Sequence, residues 1–175
     1  PMLVAVDKAI FGVDPWRITH AFIGPLGTAI IDKVYALWFV CMMLLLGWLC
    51  FTRDLKLQLR GLLTYLLCWA FLGNLVAVGL SSVGPCFYQD FYRDPYFAPL
   101  MQKLRDGHEV YSIHALGMMN FLLESAGKNR FAAGISAMPS LHVTIAFLAF
   151  LVALESTKRL WIRLLAGLFA LIIFV

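Results

Sequence analysis

Four apolar runs, residues 34–51, 62–83, 141–154 and 164–175, decide what this chain can fold into. The first is nearly unbroken and matches the roughly 20 residues that an α-helix needs to cross a hydrocarbon core. The second is as long, softened by Asn74 and by Ser81 and Ser82. The third reaches span length only if its first turn, carrying His142, sits at the membrane surface. The fourth is still apolar at residue 175, which reads as a span cut short. Composition agrees: 62% of residues are hydrophobic and 14% charged, with a mean hydropathy of +0.83, whereas soluble domains are about half apolar and about a quarter charged. Burial grows too slowly with length for one small core to hide that excess. The surplus is expected to face lipid.

Charge sets the orientation. Two short connections are basic: residues 51–61 carry Arg53, Lys56 and Arg60 against Asp54, and residues 156–163 carry Lys158, Arg159 and Arg163. Short Lys/Arg-rich loops stay in the cytoplasm, and four crossings put these two on one side. The balanced segment 84–139 and the N-terminal segment then lie outside. The net charge of +4 is explained by this bias, so no nucleic-acid partner is expected. Residues 1–13 lack the basic start and small-residue cleavage site of a signal peptide and read as a short amphipathic helix on the membrane surface.

Within the outer segment, residues 96–104 and 110–125 read as short helices along the membrane plane, with Ile113, Leu116, Met119 and Leu122 at helical spacing and Gly107 and Gly127 at the ends. Cys41, Cys50, Cys68 and Cys86 show no metal-ligand spacing, and neither a metal nor another cofactor is expected. The fold class expected is therefore all-α: a polytopic transmembrane helix bundle with four spans and short interfacial helices in an outer loop. Residues 1–175 are taken as a single integral membrane domain, truncated at the C-terminal end.

The segment 134–142 ends in Pro139, Ser140, Leu141 and His142. Proline suits the first position of a helix, where its missing N–H costs nothing. Free amides and the positive dipole end of a helix start make a ready anion site. Ser140 adds a hydroxyl, and His142 adds an imidazole that can change charge near neutral pH. The arrangement reads as half of a phosphate-handling site.

This motif resembles the central motif of the type 2 phosphatidic acid phosphatase superfamily, usually Pro-Ser-Gly-His, in its Pro-Ser-Leu-His version. GISAMPSLHV, with GPCFYQDF and FAPLM upstream, is similar to bacterial members of the inositol phosphorylceramide synthase-like branch. The resemblance implies a six-helix bundle in a bacterial inner membrane, with its active site on the non-cytoplasmic side. It implies metal-independent phosphoryl transfer through a phosphohistidine, with His142 as general acid and Ser140 and the Leu141 amide holding phosphate. A nucleophilic histidine oriented by an aspartate is expected after residue 175, and the family's lysine and arginine phosphate clamp is not recognisable. Lys128 and Arg130 are the foremost candidates for that clamp, with Lys103 and Arg105 behind them. The partner implied is a phospholipid or other lipid phosphate, and the product is set by whether water or a lipid alcohol accepts.

Two other classes compete with this enzyme: a non-catalytic scaffold of the same fold, and a lipid transporter, against which stands the scarcity of ionisable residues within the spans. The remaining histidines are read more plainly, His114 as structural within an amphipathic helix and His108 as solvent-facing. His20 lies at a turn and helix start beside the membrane, within reach of headgroups like Arg17, and no role is assigned to it. Asn74 is expected to face the bundle interior, and Phe87, Tyr88, Phe91, Tyr92, Tyr96 and Phe97 to form an interfacial aromatic belt.

Overall fold

The computed structural model describes residues 2–79, 84–126 and 139–175, and among them every regular element is helical. Helices α1 (Met2–Phe11) and α2 (Pro15–Phe22) precede a rod made of α3 (Pro25–Ala36) and α4 (Trp38–Phe51). The rod is scarcely interrupted at Leu37, whose N–H is shared between the Lys33 and Val34 carbonyls at 3.3 and 3.1 Å. Helix α5 (Leu55–Leu67) runs into a π-helical segment (Cys68–Val76) and a short turn of helix, α6 (Ala77–Gly79). Helix α7 (Gly84–Tyr92), a 3-10 turn (Pro95–Phe97), α8 (Ala98–Val110) and α9 (His114–Ala126) follow, and α10 (Leu141–Ser156) and α11 (Leu160–Phe174) close the chain.

Two stretches, Pro25–Phe51 and Leu55–Tyr92, are long and apolar enough to cross a membrane, positions 80–83 of the second lying outside the described residues. Helices α10 and α11, at 16 and 15 residues, are shorter. The outer surface is apolar where a soluble protein's would be polar: Phe39, Leu44, Leu66, Leu75, Leu164, Leu168 and Phe174 are all exposed.

The core is the seam between α4 and α10. Trp38, Met42, Leu45 and Leu49 recur at helical spacing along α4 and are buried, and Ile145, Leu148 and Val152 do the same on α10. Tyr65, Cys68, Ala146 and Ile173 complete the cluster. At one end, the indole N–H of Trp38 donates to the His142 carbonyl at 3.0 Å; at the other, that of Trp48 donates to the Ser156 hydroxyl at 3.2 Å. Beside Ser156, Arg60 meets Glu155 at 2.6 Å, and Arg163 donates to the carbonyls of Thr157 and Leu154 at 2.7 and 2.8 Å.

Several boundaries differ from the sequence reading. The first basic loop is shorter than expected, because Asp54 accepts from the Lys56 and Leu57 amides at 3.0 and 3.2 Å and so starts α5 early. Gly107 does not end its helix but lies buried inside α8, beside Ile113 and Pro25. Asn74 is exposed rather than interior, and its amide donates to the Trp69 carbonyl of its own π-helical segment at 2.8 Å.

Gly61 faces the fully buried Leu49, where an added side chain would overlap a leucine methyl that has no space to swing into. Gly61→Val should lower stability by about 1–3 kcal/mol, the usual cost of overpacking a core. Breaking the exposed Arg60–Glu155 pair with Glu155→Gln should cost under about 1 kcal/mol. Thermal unfolding in one detergent compares them, and the reverse ranking would show that the seam at Leu49 is not tightly packed.

Candidate functional site

Ser140 stands at the N-cap of α10 with extended backbone, and its hydroxyl oxygen accepts from the Val143 amide at 3.4 Å. Thr144 closes the first turn by donating its hydroxyl to the Ser140 carbonyl at 2.9 Å. The first amides of a helix have no partner inside it, which leaves those of Leu141 and His142 at the mouth of the helix. Leu141 reaches the π-helical segment: a side chain on Gly73 would come within 2.8 Å of a Leu141 methyl. Glycine at 73 lets the Leu141 side chain lie close against the segment, and π-helical turns are common at functional places in helices.

The half-buried His142 ring is packed between two aromatic rings of the α3–α4 rod. It stacks on Tyr35 with ring centres 4.5 Å apart and lies against Trp38 at 4.2 Å. No hydrogen bond to its ring nitrogens is made among the described residues, so they are held in place by packing while free to bind a ligand. Lys128 and Arg130 lie outside the described residues, as does the motif upstream of Pro139.

A second imidazole is held on the same rod, and the sequence reading missed its partner. His114 is the first residue of α9, not a mid-helix residue, and its side chain is 69% exposed. Its Nδ1 lies 2.9 Å from Asp32 Oδ2, and the Asp32 side chain is only 7% exposed. The same carboxylate accepts from the backbone amides of His114 and Ala115 at 2.8 and 2.9 Å, capping α9 from another helix. Asp32 precedes the first apolar run by two residues, and nothing in the local pattern connects it to a histidine 82 positions away. Tyr35, which stacks on His142, follows Asp32 by one helical turn.

The other candidates fall elsewhere. His108 is not free in solvent: its Nδ1 accepts from the Ile113 amide at 2.9 Å and shapes the bend between α8 and α9. Arg105 is exposed on α8. Lys103 lies on the wall of a cleft of about 310 Å³ with His20, Thr28 and Asp106, at the far end of α3 from His142. Tyr88, Tyr92, Tyr96 and Phe97 do gather into one aromatic cluster, which seats the N-terminal segment. Lys8 lies 4.8 Å above the Tyr96 ring, the Tyr96 hydroxyl donates to the buried Asp14 at 2.5 Å, and Asp14 pairs with Arg17 at 3.3 Å. The adjoining Tyr96 hydroxyl pushes the proton affinity of Lys8 above that of an ordinary lysine.

The profile of the PAP2 superfamily matches residues 3–175. The chain belongs to the PAP2 superfamily. Membership suggests phosphatase-type chemistry. No curated protein and no solved structure gave a significant match.

Asp32 supplies the cap of α9, and removing a cap costs about 0.5–2 kcal/mol. Asp32→Ala should therefore speed amide hydrogen exchange at the start of α9 by roughly tenfold, since about 1.4 kcal/mol is a factor of ten. Exchange mass spectrometry over peptides spanning residues 112–118 reads this, and unchanged protection would show that α9 is held by other contacts.

Proposed function

We propose that this PAP2 superfamily member is a membrane enzyme that hydrolyses a lipid phosphate ester or transfers a phospho-headgroup to a lipid alcohol. The observation that carries the reading is the Pro-Ser-Leu-His motif at the start of α10, with Ser140 as cap and the His142 ring fixed between Tyr35 and Trp38. Four crossings, made by α4, by α5 with the π-helical segment, by α10 and by α11, gather the basic residues of both short connections at one end. Ser140 and His142 then sit at the other, non-cytoplasmic end.

In this reading the phosphate settles at the mouth of α10. The Leu141 and His142 amides and the Ser140 hydroxyl donate to its oxygens, where fixed donors stabilise the charge of phosphoryl transfer. His142, protonated, gives its proton to the departing alkoxide oxygen as the phosphorus–oxygen bond breaks. The phosphoryl group passes to the nucleophilic histidine that the family resemblance implies and then to an acceptor hydroxyl, whose proton returns to His142, which splits one displacement into two easier steps. Lys128 and Arg130 are the proposed countercharges, the lipid phosphate is the partner, and no metal takes part in the step.

His142→Ala should lower turnover by about 10²–10⁴-fold, the usual worth of a positioned general acid, with detergent-solubilised folding intact. Ser140→Ala should weaken inhibition by vanadate by a smaller factor. The assay is release or transfer of phosphate from a panel of labelled phospholipids by full-length protein, with chelator present. Turnover that resists chelator and yields to vanadate supports the phosphohistidine route, and its product names the acceptor. A well-folded full-length protein that turns nothing over would favour a non-catalytic scaffold.

A further inference from the structure

The cleft at the N-terminal end of α3 has no part in the chemistry assigned to His142. It is lined by His20, Gly24, Thr28, Lys103, Asp106 and Ile113, drawn from α2, α3, α8 and the bend before α9. Thr28 and Tyr35 are seven residues apart on α3, about 10 Å at 1.5 Å per residue, so the cleft is separate from the imidazole of His142. Its volume, about 310 Å³, is at the lower end of what small-molecule sites enclose.

Its two nitrogen-bearing side chains are aimed by one residue. His20 Nδ1 lies 3.1 Å from the Trp16 carbonyl, which can only accept, so Nδ1 carries the proton and Nε2 is left for a ligand. The Lys103 ammonium stands 5.6 Å from the centre of the Trp16 ring, a cation–π contact that restrains a flexible side chain. Asp106, one turn along α8 from Lys103, receives a hydrogen bond on Oδ1 from Gln102 at 2.8 Å. Its second oxygen is free to accept. Ile23, Pro25 and Ile113 supply apolar wall.

We infer that this cleft binds a phosphorylated polyol, with Lys103 on the phosphate and with Asp106 and His20 Nε2 accepting from its hydroxyls. A simple anion would leave Asp106 as a like charge beside it, and an uncharged polyol would leave Lys103 unused. A molecule with one phosphate and neighbouring hydroxyls satisfies both. The same chemistry occurs in a polyol phospholipid headgroup and in a free sugar or glycerol phosphate.

The test is calorimetric titration of full-length protein in detergent with glycerol 3-phosphate and, separately, inorganic phosphate. Glycerol 3-phosphate should bind with one-to-one stoichiometry. Lys103→Gln should weaken it at least tenfold, and Lys103→Arg should restore most of the loss. Asp106→Asn should weaken glycerol 3-phosphate while leaving inorganic phosphate no weaker. Absence of glycerol 3-phosphate binding, or equal binding by Lys103→Gln, overturns the proposal. Nanodiscs separate the two sources: phosphatidylglycerol, but not equally charged phosphatidylserine, should compete with the soluble probe if the occupant is a lipid headgroup, and neither should if it is a free phosphate. The binding is independent of the catalytic reading. A protein that holds glycerol 3-phosphate through Lys103 yet turns over no phospholipid keeps this site and loses the other.

Discussion

Two indole N–H groups, one near each end of α4, tie that helix to α10. Where the surroundings are apolar, a polar hydrogen without a partner costs far more than it does in water, so Trp38 and Trp48 choose register as well as partner. Sliding α10 by one residue would break both bonds together. The apolar stripe between them, Met42, Leu45 and Leu49 against Ile145, Leu148 and Val152, then needs only shape to fit. Because the upper bond ends on the carbonyl of His142 itself, the register of the bundle is also the placement of the motif.

Much of this was legible in the sequence, for a physical reason. Long apolar runs have few ways to satisfy their backbone groups other than as helices, and so the runs from residues 34, 141 and 164 foretold α4, α10 and α11, while that from 62 falls on the end of α5, the π-helical segment and α6. Pro139 pointed to a helix start but stands just before it: Ser140, read only for its hydroxyl, is the N-cap, and α10 begins at Leu141. Helix ends set by local chemistry were harder to place only where competing signals met, as with Asp54 capping α5 ahead of the basic residues that suggested a loop.

Contacts between distant segments left no such trace. The pairing of Asp32 with His114 joins residues 82 positions apart, and an aspartate beside an apolar run reads equally well as a solvated end. The same holds for Tyr35 and Trp38 against His142, which look like ordinary interfacial aromatics until α10 is laid beside them. Gly73 carries a fainter signal: a glycine in an apolar span suggests a close approach, yet nothing local says that Leu141 is what approaches. Lys128 and Arg130 remain where the sequence left them, as candidates for a countercharge.

Packing the His142 ring against Tyr35 and Trp38 covers part of it, so a reactant can reach it only from the side those rings leave open. Such an imidazole cannot tumble to greet an incoming oxygen; its directions of approach are chosen when the chain folds. Orientation is a large part of what makes a bound group reactive, and here it would be settled before any reactant arrives. Selectivity would then arise from trajectory as much as from fit: a molecule could touch every donor at the mouth of α10 and still go unchanged, for want of a path to the open side of the ring.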